Sequence, residues 1–536
     1  MSARPQRSRA QQRLAREVGT IRKDHGGKLR IALVYPNTYH VGMSNLGVHA
    51  VYGLLNDRLD VVCERAFWPD PGEQRMLARS RRPLSSLESE TPLREFDVVA
   101  FSLCYELDYP NAVAMLDLGG VPVASAERSG SDPVVVAGGA GASLNAEPLA
   151  DFFDGFLVGE IEPVLDSLVE ALAAHVRGRR AALDALASVP GIYLPARYRI
   201  AYQDDGRIAQ ITPAVGAPAP VQRQTAMPLD RWETCSRVLT PDTEFGDMFL
   251  IEIARGCGRR CRFCAAQHIY RPLRQRPVGH VIDVARRGLA YRGTLGLVGA
   301  AVSDYPDIDD LCERLLGLGA KISLASLRAD TFSEGIARAL AASGARTVTL
   351  APEAGSQRLR DTLRKGLDDS ALLAAAECAG EAGLRQLKLY FMIGLPGETD
   401  EDVAAVVDLT RRMKAAGNFE RVTAAVATFV PKPGTDFERE AMIDPLPARR
   451  IVRRIEGELK RMPGVDVDAE SPNWSFIQGV LARGDRRLGS VIRSVAASGS
   501  RLGSWRRALR ESSPGPYWYA LRARDHDEVL PWSITR

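Results

Sequence analysis

Three cysteines stand close together in the stretch RGCGRRCRFC, at Cys257, Cys261 and Cys264. Their spacing is C-x3-C-x2-C, and no fourth cysteine lies within twenty residues on either side. Thiolates are the ligands of iron–sulfur clusters, which ordinarily take four of them. Three thiolates therefore predict a cubane cluster in which one iron stays open to a substrate or a second cofactor.

Two other uses of these thiols stay open at this point. A zinc site usually has four nitrogen or sulfur ligands arranged in paired C-x2-C knuckles, and no second knuckle is present. His268, four residues after Cys264, is the available fourth ligand for zinc. The second use is a disulfide, which is less favoured than zinc, because eight cysteines among 536 residues do not form a disulfide framework.

The cysteines follow an apolar segment, MFLIEIA (248–254), that is typical of a buried strand. Further strand candidates alternate with helical stretches, so that the class is α/β with parallel strands. Loops at the carboxyl ends of such strands are where active sites are built. These candidates are TLGLVGA (294–300), KISLASL (321–327), RTVTLAPE (346–353), LKLYFMIG (387–394) and VTAAVATFV (422–430).

The pattern divides the chain into five parts. Strand and helix signals also alternate in the first third, which predicts a doubly wound, Rossmann-like domain with a ligand over its strand ends. The predicted parts are a disordered basic leader (1–27), this Rossmann-like domain (28–178), a Pro-rich connector (179–245), the second α/β domain (246–440) and a helical carboxyl-terminal extension (441–536).

Composition excludes several classes of protein. The net charge of +4 is close to balance and gives no argument for nucleic acid, so we expect no nucleic-acid partner. The chain has no run of eighteen apolar residues and no apolar signal segment near its start, so we expect no membrane partner. We expect a cytoplasmic, reducing setting, which suits an iron–sulfur cluster.

Phe263 completes the pattern C-x3-C-x-aromatic-C, which resembles the signature of the radical S-adenosylmethionine (SAM) superfamily. The resemblance implies a partial (β/α)6 barrel and a 4Fe–4S cluster whose open iron binds SAM. It implies reductive cleavage of SAM to a 5′-deoxyadenosyl radical, fed by a small electron donor such as flavodoxin or ferredoxin. The non-enzymatic alternative is an iron–sulfur sensor or scaffold.

The same resemblance assigns further residues to SAM. Gly299 follows the second strand of this domain, Glu353 ends the fourth, and the GLPGET run follows the fifth. In this resemblance Glu353 would meet the ribose hydroxyls or the methionine moiety of SAM, and Ile393 and Gly394 would flank the adenine. The full set of implied SAM contacts is Phe263, Gly299, Ser326, Glu353, Ile393 and Gly394.

The GLPGET run (394–399) also occurs in tRNA methylthiotransferases, which are a rival family. That family needs three further cluster cysteines in its amino-terminal domain. Here the first domain holds only Cys63 and Cys104.

A Rossmann-like domain ahead of this core resembles the cobalamin-binding branch of the superfamily. Three fragments carry the likeness: His40 in an altered loop after the first strand, Ser102 after the third, and the pair Gly138–Gly139 after the fourth. The resemblance implies a cobalamin-dependent methyltransferase with an unknown substrate. His40 would be an irregular ligand of the cobalt; the alternatives are that cobalamin binds without a protein ligand or does not bind. The segments YPNTYHVGMSNLG, LADFFDGFLVGE and ARGDRRLGSVI resemble most an uncharacterised bacterial family that pairs these two domains.

Overall fold

A computed structural model describes residues 8–325 and 327–535. Its first unit, residues 29–193, is one six-stranded sheet in the order β2-β1-β3-β4-β5-β6, with only β6 antiparallel. The elements up to this point are α1 (Arg9–Leu14), β1 (Leu29–Tyr35), α2 (Tyr39–Met43), α3 (Leu46–Asp57), β2 (Val61–Phe67), α4 (Pro71–Ser80), β3 (Val98–Ser102), α5 (Tyr109–Leu118), β4 (Val134–Gly138), α6 (Ala140–Leu144), β5 (Gly155–Leu157), α7 (Leu165–Ala173), α8 (Arg179–Leu186) and β6 (Ile192–Tyr193).

A hairpin of β7 (Tyr198–Tyr202) and β8 (Ile208–Pro213) interrupts the connector. The second unit, residues 248–469, then repeats strand and helix. Its elements are β9 (Met248–Glu252), β10 (Ala254–Arg255), α9 (Ala265–Ile269), β11 (Arg274–Gln275), α10 (Val278–Leu289), β12 (Thr294–Val298), α11 (Ile308–Gly317), β13 (Lys321–Leu324), α12 (Glu334–Ala342), β14 (Thr347–Glu353), α13 (Gln357–Thr362), α14 (Asp369–Glu381), β15 (Gln386–Ile393), α15 (Asp400–Ala416), β16 (Arg421–Thr428), α16 (Pro445–Leu459) and β17 (Val465–Ala469).

The second unit contains two parallel sheets, β13-β12-β9 and β14-β15-β16-β17. One parallel bridge between Leu327 and Leu350 joins them. We expected the carboxyl-terminal extension to be helical, but β17 within it is a strand. Its sequence VDVDA alternates, which buries Val465 against the core of the second unit. Four helices follow: α17 (Pro472–Ala482), α18 (Gly489–Ser498), α19 (Leu502–Arg510) and α20 (Pro516–Ala520).

Helices cover both faces of the first sheet, as a parallel sheet requires. Side chains of β1 alternate between the faces: Ile31 and Leu33 pack toward α3, α7 and α8, and Ala32 and Val34 toward α5. On that second face α18 and α19, from the far end of the chain, complete the layer through residues such as Val491. The predicted α/β class is confirmed, with the carboxyl-terminal helices built into the first unit.

The described part of the predicted basic leader, from Ser8 onward, packs against the first unit through residues such as Leu14 and Ile21. Glu17 forms an ion pair of 2.7 Å with Arg65, whose other carboxylate partner, Glu88, lies at 2.6 Å. All three side chains are at most 1% exposed, and Val18 bridges to the connector at Leu239. A buried arginine needs such partners, and the leader supplies one of them.

Loops at the carboxyl edges of the two units meet. Glu106, after β3, accepts hydrogen bonds from Lys432, after β16, at 2.5 Å and from Gln478 of α17 at 3.0 Å. The carboxyl edge of the first sheet therefore contacts the loops at the carboxyl ends of the strands in the second unit. Among the described residues no helix is long and apolar enough to cross a membrane.

Candidate functional site

The three cysteines lie in the loop between β10 and β11, residues 256–273, which we call the cysteine loop. All three are free thiols; Cys261 is buried, and Cys257 and Cys264 are half-buried. Burial raises the pKa of Cys261, while Lys365 and Arg328 nearby lower it. The backbone N–H of Arg259 donates to the Cys257 sulfur at 3.4 Å. One loop thus presents three thiols, and one of them, Cys261, lies beside two positive charges.

This donor set fits an iron–sulfur cluster. Within the described chain, no three His, Cys, Asp or Glu side chains are arranged to hold a single metal ion. A cubane has a different requirement, because each thiolate binds its own iron. Lys365 and Arg328 suit the negative charge that such a cluster adds.

Glu353 lies at the end of β14 in a left-handed backbone conformation, with φ of +70°. Lys365 donates to its Oε1 at 2.9 Å and lies 6.0 Å from the ring centre of Phe263. Left-handed backbone at a residue other than glycine costs about 1 to 3 kcal/mol and is concentrated at functional sites. Lys365 was not predictable from the sequence, because it follows the short helix α13 in a turn that carries no motif.

A second charged group borders the cysteine loop. Arg259 pairs with Asp304 at 2.8 Å and with Asp330 at 3.0 Å, and Asp330 also pairs with Arg328 at 3.0 Å. Burial pushes the pKa of Asp304 upward, but hydrogen bonds from Arg259 and Thr331 leave it below its usual value. Loops after β12 and β13 thereby hold the centre of the cysteine loop.

The other predicted SAM residues differ in what they offer. Phe263 packs beside an apolar cluster that contains Phe429 and Phe437. Gly299 follows β12. A Cβ at this position would lie 3.4 Å from the carbonyl oxygen of Ala254, which is an ordinary contact, so the backbone there does not require glycine. Ile393 is fully buried in the core, and the Gly394 N–H donates to Glu398 at 2.7 Å. Ser326 lies outside the described residues.

The structure brings Ser102, Gly138 and Gly139 together at the edge of the first sheet. Ser102 pairs in register with Gly138 across β3 and β4. Gly139 has φ of +101°, and a Cβ there would meet the carbonyl oxygen of Leu103 at 2.7 Å. The backbone of Leu103 therefore already occupies the space that this glycine opens, and the Ser102 hydroxyl lies 3.8 Å from the Cys104 sulfur.

His40 does not join those three residues. It lies in α2, and its two ring nitrogens face Asp242 at 3.2 Å and Glu244 at 3.6 Å, both from the connector. The imidazole is 45% exposed. Its polar partners are thus surface carboxylates.

Comparison with known proteins identifies the family of the chain. Residues 47–195 match the family described as "Radical SAM proteins, N-terminal", and residues 251–410 match "Radical SAM superfamily". An uncharacterized protein of Methanocaldococcus jannaschii is 32% identical over 468 residues, which are 86% of this chain and 90% of that protein. The chain belongs to the radical SAM superfamily, whose members use a 4Fe–4S cluster and SAM.

Two further comparisons are more distant. The ribosomal protein uS12 methylthiotransferase RimO of Saccharopolyspora erythraea is 26% identical over 336 residues, which cover 55% of this chain and 69% of that enzyme. The crystal structure of Streptococcus suis SuiB bound to S-adenosylmethionine is 17% identical with a TM-score of 0.31, and covers 42% of this chain and 50% of SuiB.

Proposed function

We propose that Cys257, Cys261 and Cys264 hold a 4Fe–4S cluster and that the chain cleaves SAM reductively to a 5′-deoxyadenosyl radical. The observation that carries this proposal is the single loop with three free thiols, of which Cys261 lies beside Lys365 and Arg328. When bound, the cluster supplies the electron that breaks the carbon–sulfur bond of SAM. We propose that the two parallel sheets around it form the partial barrel of the radical SAM core.

The protein's own residues would then bind and orient SAM. We propose that Glu353 accepts hydrogen bonds from the ribose hydroxyls, since its left-handed backbone and Lys365 fix the carboxylate. The side chain of Ile393 is buried, so the adenine contact is assigned to the backbone at Ile393 and Gly394. Glu398 holds that turn through the Gly394 N–H. A small electron donor such as flavodoxin or ferredoxin is the proposed partner.

The test is anaerobic reconstitution of the full chain, followed by iron and sulfide assay. Dithionite and SAM are then added and 5′-deoxyadenosine is measured. We expect about four irons per chain and SAM cleavage that depends on dithionite. A loaded cluster that leaves SAM intact would instead favour the sensor or scaffold, and absence of a cluster would exclude both.

Group transfer onto a substrate carbon is the reaction class that we propose to follow the radical. The basis is the relative named as a methylthiotransferase. Methylthio transfer by a second cluster is not supported in the first unit, because its two cysteines, Cys63 and Cys104, do not provide a set of three. Cys63 is moreover fully buried within β2.

Two of the four residues that the resemblance implies for cobalamin, His40 and Gly139, do not fit this cofactor. His40 is turned to Asp242 and Glu244, and the space beside Gly139 is filled by the backbone of Leu103. We assign no step to this cofactor. Reconstitution with hydroxocobalamin and a visible spectrum of the desalted protein checks this conclusion; a retained corrin spectrum would overturn it.

A further inference from the structure

The cysteine loop has a narrow neck. β10 and β11 pair antiparallel at its two ends, with Ala254 opposite Gln275 and Arg255 opposite Arg274. Gly256 continues the neck with φ of +89°, and a Cβ at this position would lie 2.2 Å from the carbonyl oxygen of Tyr270. The two ends of the loop are therefore in close contact through their backbones.

This neck places two arginines directly opposite each other. Like charges in directly facing positions of a strand pair repel each other. Neither side chain escapes to water: the Arg255 side chain is 11% exposed and that of Arg274 is 5% exposed. The neck can close only if both charges are neutralised where they lie.

A carboxylate of the first unit lies between them. Glu160, just after β5, accepts from Arg274 Nη1 and Nη2 at 2.7 and 2.8 Å, and its Oε2 lies 3.1 Å from Arg255 Nη1. Its side chain is 6% exposed. Arg255 is further paired with Glu162 at 2.7 Å and with Glu252 at 2.8 Å, whereas Glu160 is the carboxylate that the described structure places on Arg274.

We propose that Glu160 is a positioning residue that keeps the neck of the cysteine loop closed by neutralising Arg255 and Arg274. The first unit thereby determines the arrangement of the three thiols, although it contributes none of them. The consequence for the cluster rests on the proposed function. The closure of the neck is a property of the chain without metal and is tested separately.

The test variant is Glu160→Gln, which keeps the size of the side chain and removes its charge. The matched control is Glu147→Gln: Glu147 is 2% exposed, binds Arg486 at 2.9 and 3.1 Å, and also joins the first unit to another part of the chain. Hydrogen–deuterium exchange is measured on peptides from residues 256–273 in full-length protein prepared without iron.

We expect exchange in this loop to become about 100-fold faster in E160Q, because a buried arginine loses its carboxylate. E147Q should lower the melting temperature to a similar degree and leave exchange of the loop unchanged. Exchange at the wild-type rate in E160Q, or equal acceleration in both variants, would overturn the proposal. If E160Q does not accumulate, E160D replaces it: the shorter carboxylate cannot reach both arginines, so one of them loses its neutralising partner and exchange should still accelerate beyond E147Q.

A double variant tests the charge argument itself. In Glu160→Gln combined with Arg274→Gln the buried positive charge is gone, and Arg255 keeps Glu162 and Glu252. Exchange should slow again relative to E160Q, and equal rates would contradict neutralisation as the cause. After reconstitution E160Q should retain less iron than E147Q. A wild-type chain that binds no iron would end the proposed function and leave the exchange result standing.

Discussion

The carboxyl edges of the two sheet units meet at Glu106 and Lys432. Each edge carries a residue with a positive φ, and the structural reason for that conformation differs between the two edges. On the first edge, the glycine of left-handed conformation, Gly139, is explained by its contact with the backbone of Leu103. On the second edge, Glu353 adopts a left-handed conformation that its side chain opposes, and its carboxylate is fixed by Lys365. Packing alone accounts for Gly139, so this glycine is weak evidence of a ligand site. A positive φ at a residue other than glycine costs free energy, so Glu353 is stronger evidence.

The largest expected effect separates the cysteines of the two edges. Cys261→Ser should abolish cluster binding and SAM cleavage, because a serine hydroxyl is a poor replacement for a thiolate on iron. Cys104→Ser, at the first edge, should leave both intact. Iron content and 5′-deoxyadenosine formation measure the difference. Equal loss in both variants would place part of the cluster site on the first sheet.

The next effect compares the two lysine–glutamate pairs. Lys365→Met leaves Glu353 without its cation, and we expect SAM to bind about 10- to 100-fold more weakly to the reconstituted enzyme. Lys432→Met breaks the pair with Glu106, whose carboxylate is 5% exposed, and should destabilise the fold without changing SAM affinity. Equilibrium dialysis with labelled SAM distinguishes them. Unchanged binding in K365M would remove Glu353 from the SAM site.

A carboxyl group on each edge provides a prediction about pH. Burial raises the pKa of Asp108 to about 7, although a hydrogen bond from Asn37 lowers it in part. Burial likewise raises the pKa of Glu398 to about 7, although a hydrogen bond from the Gly394 N–H lowers it in part. The folded chain therefore keeps these protons to higher pH than the unfolded chain, whose carboxyl pKa values are about 4. The free energy of unfolding should fall as pH rises through this window.

Asp108→Asn and Glu398→Gln should each remove part of that fall. The difference in free energy of unfolding between variant and wild type should shift in favour of the variant by roughly 2 to 4 kcal/mol from pH 4 to pH 8. This is an upper range, because partial exposure screens the effect. Urea unfolding at several pH values measures this gain. Parallel curves for wild type and variant would mean that the group keeps an ordinary pKa. Only E398Q should also affect SAM binding, since Glu398 holds the Gly394 turn.

Sequence patterns predicted the features that depend on short stretches of sequence, namely the strands and the cysteine loop. The strand candidates of the second unit match β9 and β12–β16, because their apolar periodicity is local, and the cysteine spacing was sufficient to locate the candidate loop. Long-range partnerships were not predictable. Lys365 reaches Glu353 from a turn without a motif, and α18 completes the helical layer on a sheet that ends nearly 300 residues earlier in the chain. Each depends on the tertiary fold and not on local spacing.

The smallest expected effect concerns His40, the residue that most suggested a ligand at the first edge. Its contacts with Asp242 and Glu244 are exposed, and even charged pairs at exposed positions contribute only about 0 to 1 kcal/mol. His40→Ala should therefore change the free energy of unfolding by less than about 1 kcal/mol and leave iron content, SAM cleavage and the spectrum after hydroxocobalamin treatment as in wild type. A corrin spectrum present in wild type and lost in H40A would show that the imidazole turns away from those carboxylates to bind cobalt. The first edge would then be a cofactor site like the second, and the contrast between them would fail.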